Sequence, residues 1–355
     1  MRYIGSKEQL LSFIEGAVNE RVKEEDYHFG DLFCGTAAVS RQFKQLGKRV
    51  TANDNLRFCY VLAKATLEIN EEPQFERLLE SGKIGSTETV KLFSTPYDVV
   101  LKHLNEIAGE PGFIFREYSP GGTVNSSYQR RYFSDENAQK VDAIRTRVAC
   151  WEQAGLLSEA ESCLLISDLM RAANRVANIA GTYGCFLKRW DQRAHRPLTL
   201  QRSKIIPSSL QHEVFCTDAH HLAQGRYFHV LYLDPPYTWR HYGAYYHVLE
   251  TIAKWDEPTV TGLTGLRSWE ESKSRYCDRS DAVNALRELV SLAQCKHLFL
   301  SYNSEGLITH EQIMEILALR GEPVCSEINY RRYRSNTGGT KNKTLKERLY
   351  YVQTT

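Results

Sequence analysis

The sequence predicts an α/β protein: a doubly wound, mostly parallel sheet of about seven strands, interrupted by a mainly helical insertion. Three observations carry this. The chain opens strand–helix–strand–helix before residue 71 and resumes that alternation after Pro207. Between them, from Glu71 to Lys204, helical patterns alternate with polar loops and no good buried strand occurs. Three predicted strands end in a carboxylate, at Asp54, Asp218 and Asp234, and strand carboxyl ends are where open α/β sheets bind ligands. The expected domains are therefore 1–70 plus 205–355 as a core and 71–204 as the insertion.

The totals narrow the class. At 355 residues, with 42% hydrophobic and 25% charged residues, the chain is ordinary for a globular protein. It has no run of 18 apolar residues and no apolar leader at Met1–Lys7, so no membrane and a cytoplasmic location are expected. The nine cysteines form no C-x-x-C pair, which points to reduced thiols rather than a zinc site or a disulfide framework. His195, His220, His221, His241 and His247 lack metal-ligand spacing, so no metal is expected. A net charge of +2 means that nucleic-acid contact would have to come from local patches.

Taken in order, apolar residues at 10, 11, 13, 14, 17 and 18 predict a first helix behind a Gly5-Ser6 cap. Lys7 then falls in its first turn, where a cation opposes the helix dipole unless it meets an anion. Phe29 to Ser40 reads as a short strand, a turn of small residues around Gly35 and Thr36, and a helix start. Such a turn lets backbone approach a ligand closely. Ala37 stands where a glycine is commoner. Val50 to Ala52 forms the second strand, and Asp54 lies 19 residues after Gly35, the spacing at which a strand-end acid meets ribose hydroxyls. No P-loop lysine follows, against an ATPase, and no G-x-S-x-G occurs, against a hydrolase. A helix is predicted over 56–70.

In the insertion, helices are predicted over 134–152 and 158–178. Residues 186–204 hold six Lys/Arg against one acid, Asp191. Basic residues interleaved with aromatics suit phosphate contact and base stacking; a solvated face with anchoring aromatics is the plainer reading. After Pro207, strands are predicted over 214–219, 229–233, 297–302, 323–333 and 348–353. Helices are predicted beside the fourth strand at 245–252, over 282–293 and near 309–319, and 257–280 reads as a loop over the site. Residues 331–348 hold seven Lys/Arg and one acid, Glu347, so the tip of that last hairpin could meet a phosphate backbone or simply solubilise the chain.

The chemistry concentrates at Asp234-Pro235-Pro236-Tyr237. His229 to Leu233 is an apolar, aromatic-rich strand that the prolines end, because they fix φ and donate no hydrogen bond. A carboxylate and a backbone carbonyl at a strand end can each accept one N–H of an aromatic exocyclic amine, and the Tyr237 ring can stack on its base. A strand end with a tight Pro-Pro turn is the bland alternative.

The ordered set Tyr3-Ile4-Gly5-Ser6-Lys7, the Asp31-to-Ala37 turn, Asp54, Asp218 and the Asp234–Tyr237 tetrad resembles the Dam-type N6-adenine DNA methyltransferases. The run Tyr246-His247-Val248-Leu249-Glu250-Thr251-Ile252, with Gly181 to Trp190, is especially similar to the subgroup of the FokI and NlaIII modification enzymes. The resemblance spans about residues 3 to 353 and is thin from 71 to 177. It implies a seven-stranded methyltransferase sheet with a target-recognition insertion, and S-adenosyl-L-methionine as donor. Tyr3, Gly5 and Ser6 would lie near the donor and Lys7 would meet its methionine carboxylate. Asp31, Phe33, Gly35 and Thr36 would line the turn beneath it. Asp54 and Asn55 would take the ribose, Asp218 and Ala219 the donor's adenine, and Asp234 would sit between donor and target.

Further expectations follow from that resemblance. The substrate would be double-stranded DNA with a flipped adenine, made into N6-methyladenine within a restriction-modification or related system. DNA contacts are expected from Arg130, Arg131, Lys188, Arg189, Arg193 and Arg196, and from Arg331, Arg332, Arg334, Lys341 and Lys343. A cognate restriction endonuclease is the expected partner and a monomer the expected working form. RNA adenine methylation, N4-cytosine methylation and a non-catalytic DNA-recognition module stand as alternatives.

Overall fold

The computed structural model describes residues 3–25, 27–84, 95–331 and 344–354. The chain divides into two compact units, 64–207 with 244–269, and 3–63 with 208–243 and 270–355.

The second unit is the sheet. Its strands are β1 (His28–Asp31), β2 (Arg49–Asn53), β3 (Glu213–Phe215), β4 (Tyr227–Leu233), β5 (Gln294–Asn303), β6 (Val324–Arg331) and β7 (Thr344–Gln353). They lie in the order β3-β2-β1-β4-β5-β7-β6. The first five run parallel, and β7 is antiparallel to both β5 and β6. β7 starts four residues earlier than the apolar pattern suggested, at Thr344 rather than at 348. Its outer residues Lys346 and Arg348 pair with Glu327 of β6, so cross-strand charges extend the ladder where hydrophobicity stops.

Register puts the acids on one edge. Asp31 pairs with Ala52 of β2 and with Tyr232 of β4. Asp54 and Asp234 each follow those partners by two residues, so three carboxylates gather at the carboxyl ends of adjacent strands. The strand order reverses between β1 and β4, which opens a crevice there. Phe29, Val230, Leu231, Leu298 and Leu300 are fully buried, as expected of parallel strands covered on both faces. One packed layer contains Leu231, Leu233, Leu286, Leu289, Leu298 and Ile313.

The N-terminal segment departs from expectation. Lys7–Gln9 is a turn of 3-10 helix, Ser6 makes no side-chain cap, and the α-helix begins only at Leu11. Lys7 is buried here against two carboxylates of the sheet, Asp234 and Glu347.

The first unit is helical. Its longest helices, Asp135–Gln153 and Glu159–Val176, begin at Ser134 and Ser158, whose side chains accept N–H bonds from residues three further on. Between 71 and 204 the described residues contain only an isolated bridge, Ile179 with Phe186. The division differs from the expected boundaries: 64–70 and 244–269 lie in this unit rather than with the sheet. The helix His247–Lys254 is buried from His247 to Ala253 and packs on Glu159–Val176, not beside β4. His247 Nε2 lies 2.9 Å from the Tyr183 carbonyl, and Arg145 Nε donates to the Ile252 carbonyl at 3.0 Å. The expected loop after it contains a small hairpin, Val260–Thr261 with Leu266–Arg267.

Candidate active site

The crevice at the β1/β4 reversal is a cleft enclosing about 1140 Å³, open mouth included. Every residue lining it belongs to the sheet unit. All the catalytic and donor-site candidates read from the sequence line it: Tyr3, Gly5, Ser6, Lys7, Asp31, Phe33, Gly35, Thr36, Asp54, Asn55, Asp218, Ala219 and Asp234 to Tyr237.

The floor is the turn after β1. The Gly35 amide donates to Asp54 Oδ2 at 2.9 Å and the Leu56 amide to Oδ1 at 3.0 Å. Gly35 has φ of 52°, and a Cβ there would lie 3.0 Å from the Tyr3 ring. Gly5 has φ of 79°, and its Cβ would come within 3.0 Å of the Tyr242 hydroxyl. Both glycines thus keep backbone open beneath an aromatic wall, in which Tyr3 and Tyr242 have ring centroids 5.5 Å apart. Ala37 adopts the left-handed region itself, with φ of 58°, so the turn keeps the glycine-type geometry without the glycine.

The electrostatics are dominated by buried acids. Ser40 Oγ donates to Asp31 Oδ2 at 2.6 Å, while Oδ1 is buried without a well-formed hydrogen-bond partner among the described residues. Burial pushes Asp31 up to about 7, with Ser40 opposing and the Asp234 and Asp54 charges adding. An orphaned carboxylate oxygen on a residue that lines a cleft suits a cationic or N–H-bearing ligand group. Asp218 caps the helix Ala219–Gly225, its Oδ1 accepting from the His220 amide at 2.7 Å.

Asp234 sits where β4 ends, 15% exposed toward the cleft. Burial pushes its carboxyl up to about 7; the Lys7 cation pulls it down and Glu347 pushes it further up. The anions that Lys7 meets are the chain's own. Its Nζ lies 3.0 Å from Asp234 Oδ1 and 2.5 Å from Glu347 Oε1. Burial opposes its charge, yet the two carboxylates hold the Lys7 pKa well above the usual value. Tyr237 packs edge-on to Tyr302, with centroids 6.1 Å apart.

Glu347 was missed as a site residue. The signal was present: in Lys346-Glu347-Arg348 a lone acid alternates with two bases along a strand, so it faces away from them. Lys346 and Arg348 take the exposed face with Glu327, and Glu347 is 1% exposed beneath.

The basic candidates divide. Arg130 is 7% exposed, and its guanidinium donates to the carbonyls of Glu117, Leu263 and Gly262 and to the Glu117 carboxylate. Arg193 donates to the carbonyls of Ala177 and Ile179. Both thus tie carbonyls together inside the unit. Arg131 donates to the Lys188 carbonyl and to Gln129, half-buried. Lys188, Arg189 and Arg196 are exposed. Arg331 ends β6, and Arg332, Arg334, Lys341 and Lys343 lie outside the described residues.

A family model for D12 class N6 adenine-specific DNA methyltransferases matches residues 3–316. The chain belongs to this family. It is 38% identical to the modification methylase StsI of Streptococcus sanguinis and 38% identical to the type II methyltransferase M.FokI of Planomicrobium okeanokoites, over 99% of this chain in each case. It spans 52% of each of those proteins, about half their length. It is 34% identical to the type II methyltransferase M.NlaIII of Neisseria lactamica, over 99% of this chain and 98% of that one.

Proposed function

We propose that the chain transfers a methyl group from S-adenosyl-L-methionine to N6 of a flipped adenine in double-stranded DNA, as the modification enzyme of a restriction-modification system. The observation that carries this is Asp234: a carboxylate at the end of β4, at the sheet's reversal point, opening on a cleft with an unsatisfied acid on its wall. Family membership supports the reading. The cleft also fits the donor, because Asp31 Oδ1 awaits a cation or N–H and Gly35 leaves backbone space under Tyr3. When bound, the donor supplies an electrophilic methyl on a cationic sulfur.

The chain's own residues do the rest. Tyr237 stacks on the extruded base, whose unstacking and unpairing cost on the order of a few kcal/mol. The Asp234 carboxylate and the Pro235 carbonyl accept the two N–H bonds of the amine, which localises its lone pair for in-line attack. The same acceptors face the positive charge that develops on nitrogen until its proton leaves. Asp31 and the Gly5-to-Lys7 and Phe33-to-Thr36 turns orient the donor; Asp54 with Asn55, and Asp218 with Ala219, flank its nucleoside end.

The helical unit is the target-recognition part, reading base edges, with Lys188, Arg189 and Arg196 on phosphates. A cognate restriction endonuclease, a monomeric working form and a cytoplasmic site of action belong to the same reading. No described helix is long and apolar enough to cross a membrane. The test is transfer of radiolabelled methyl to unmethylated plasmid DNA, followed by nucleoside analysis. Label in N6-methyladenine is expected. Label in N4-methylcytosine, or in RNA alone, would overturn the substrate, and donor binding without transfer would overturn the catalytic reading.

A further inference from the structure

We propose that Glu347 is a positioning residue for this reaction: its carboxylate is a second seat for the Lys7 ammonium, and lets that cation leave Asp234 when a target amine arrives. The inference rests on the methyltransferase reading above. Lys7 and Glu347 are 5% and 1% exposed, and the ammonium lies between the two carboxylates, 2.5 Å from Glu347 and 3.0 Å from Asp234. Glu347 reaches the site from β7, in register with Asn303 of β5. Asn303 Nδ2 lies 3.5 Å from its other oxygen, which leaves Oε1 turned to Lys7.

The chemistry requires such a seat. An adenine N–H and the Lys7 ammonium are both donors, and they compete for one carboxylate. A buried ammonium stripped of its counter-ion is strongly unfavourable, so a lysine paired with Asp234 alone would resist displacement. With Glu347 present the cation stays paired while Asp234 turns to the amine. Among the described residues, the other titratable groups that act on Asp234 or Lys7 are Asp31 from β1, Tyr232 from β4 itself and Tyr237, so Lys7 is the cation of this set. Because the Glu347 charge pushes the Asp234 pKa up, neutralising it lowers the pH at which Asp234 ionises.

The experiment uses the full chain, S-adenosyl-L-methionine and unmethylated plasmid DNA, with kcat and both KM values measured from about pH 5 to about pH 9. Glu347→Gln should lower kcat by on the order of tenfold or more, leave KM for the donor within about twofold, and move the acid limb to lower pH. A residue that only supported the fold would not move that limb. The double variant Lys7→Gln/Glu347→Gln replaces the pair by neutral groups of similar shape. At about pH 9, where Asp234 is ionised in either case, it should match Lys7→Gln alone, because a second seat for the ammonium matters only while Lys7 is there to use it. Wild-type kcat and an unmoved limb in Glu347→Gln would overturn the proposal, and so would a double variant slower than Lys7→Gln. If Glu347→Gln does not fold, the double variant decides. Wild-type chain that leaves no methyl on DNA overturns the function and this inference with it; active wild type with a normal Glu347→Gln overturns the inference alone.

Discussion

Gly35 and Asp54 are joined by a hydrogen bond of 2.9 Å from amide to carboxylate, across 19 residues of sequence. The other Asp54 oxygen takes the Leu56 amide. This carboxylate therefore shapes the floor of the cleft as well as facing it. Asp54→Ala would leave two amides without their acceptor, at a cost of about 1–3 kcal/mol. The expected outcome is a lower melting temperature together with weaker S-adenosyl-L-methionine binding by calorimetry. Unchanged donor affinity would remove Asp54 from the donor site.

Ala37 occupies the left-handed region with φ of 58° and precedes the helix Ala38–Gln45. A side chain there costs about 1–2 kcal/mol, which glycine avoids. Ala37→Gly should raise the melting temperature by a few degrees, and Ala37→Val should lower it. A melting temperature that falls with glycine would mean that the methyl packing of Ala37, which is fully buried, outweighs its strain.

Asp234 must be ionised to accept an amine N–H with both oxygens available. Burial raises its pKa to about 7, with Lys7 opposing. The sign is therefore a loss of activity as pH falls: kcat/KM should drop below about pH 7 and level off above it. A bound cationic donor favours the ionised form, so the limb in kcat should lie lower than that in kcat/KM. Asp234→Ala should abolish transfer while leaving DNA affinity within a few-fold, as measured by filter binding.

Arg130 and Arg189 are expected to separate. Arg130 holds the hairpin carbonyls of Gly262 and Leu263, so Arg130→Ala should destabilise the helical unit in thermal melts. Arg189→Ala should leave melting unchanged and flatten the salt dependence of DNA binding by about one in the slope of log K against log salt. Reversed results would exchange their roles.

Much of this was legible in the chain because local rules settle it. An apolar, aromatic-rich run and two prolines mark the end of β4 at Asp234, and a small-residue turn marks the end of β1. Side-by-side parallel strands then bring their terminal acids together, so residues that line the cleft could be named in advance. Other features depend on which surface each residue meets after folding, and no local pattern encodes that. Arg130 and Arg189 look alike in sequence, but a guanidinium has five donors that serve carbonyls or phosphates equally well. The run 246–252 reads as a helix wherever it packs, and its all-round burial placed it with the helical unit rather than beside β4. The Lys7–Glu347 pair joins positions 340 residues apart. Local alternation shows that Glu347 faces away from its neighbours, but only the antiparallel register of β7 on β5 brings it to Lys7, because a buried charge takes whichever counter-ion the fold delivers.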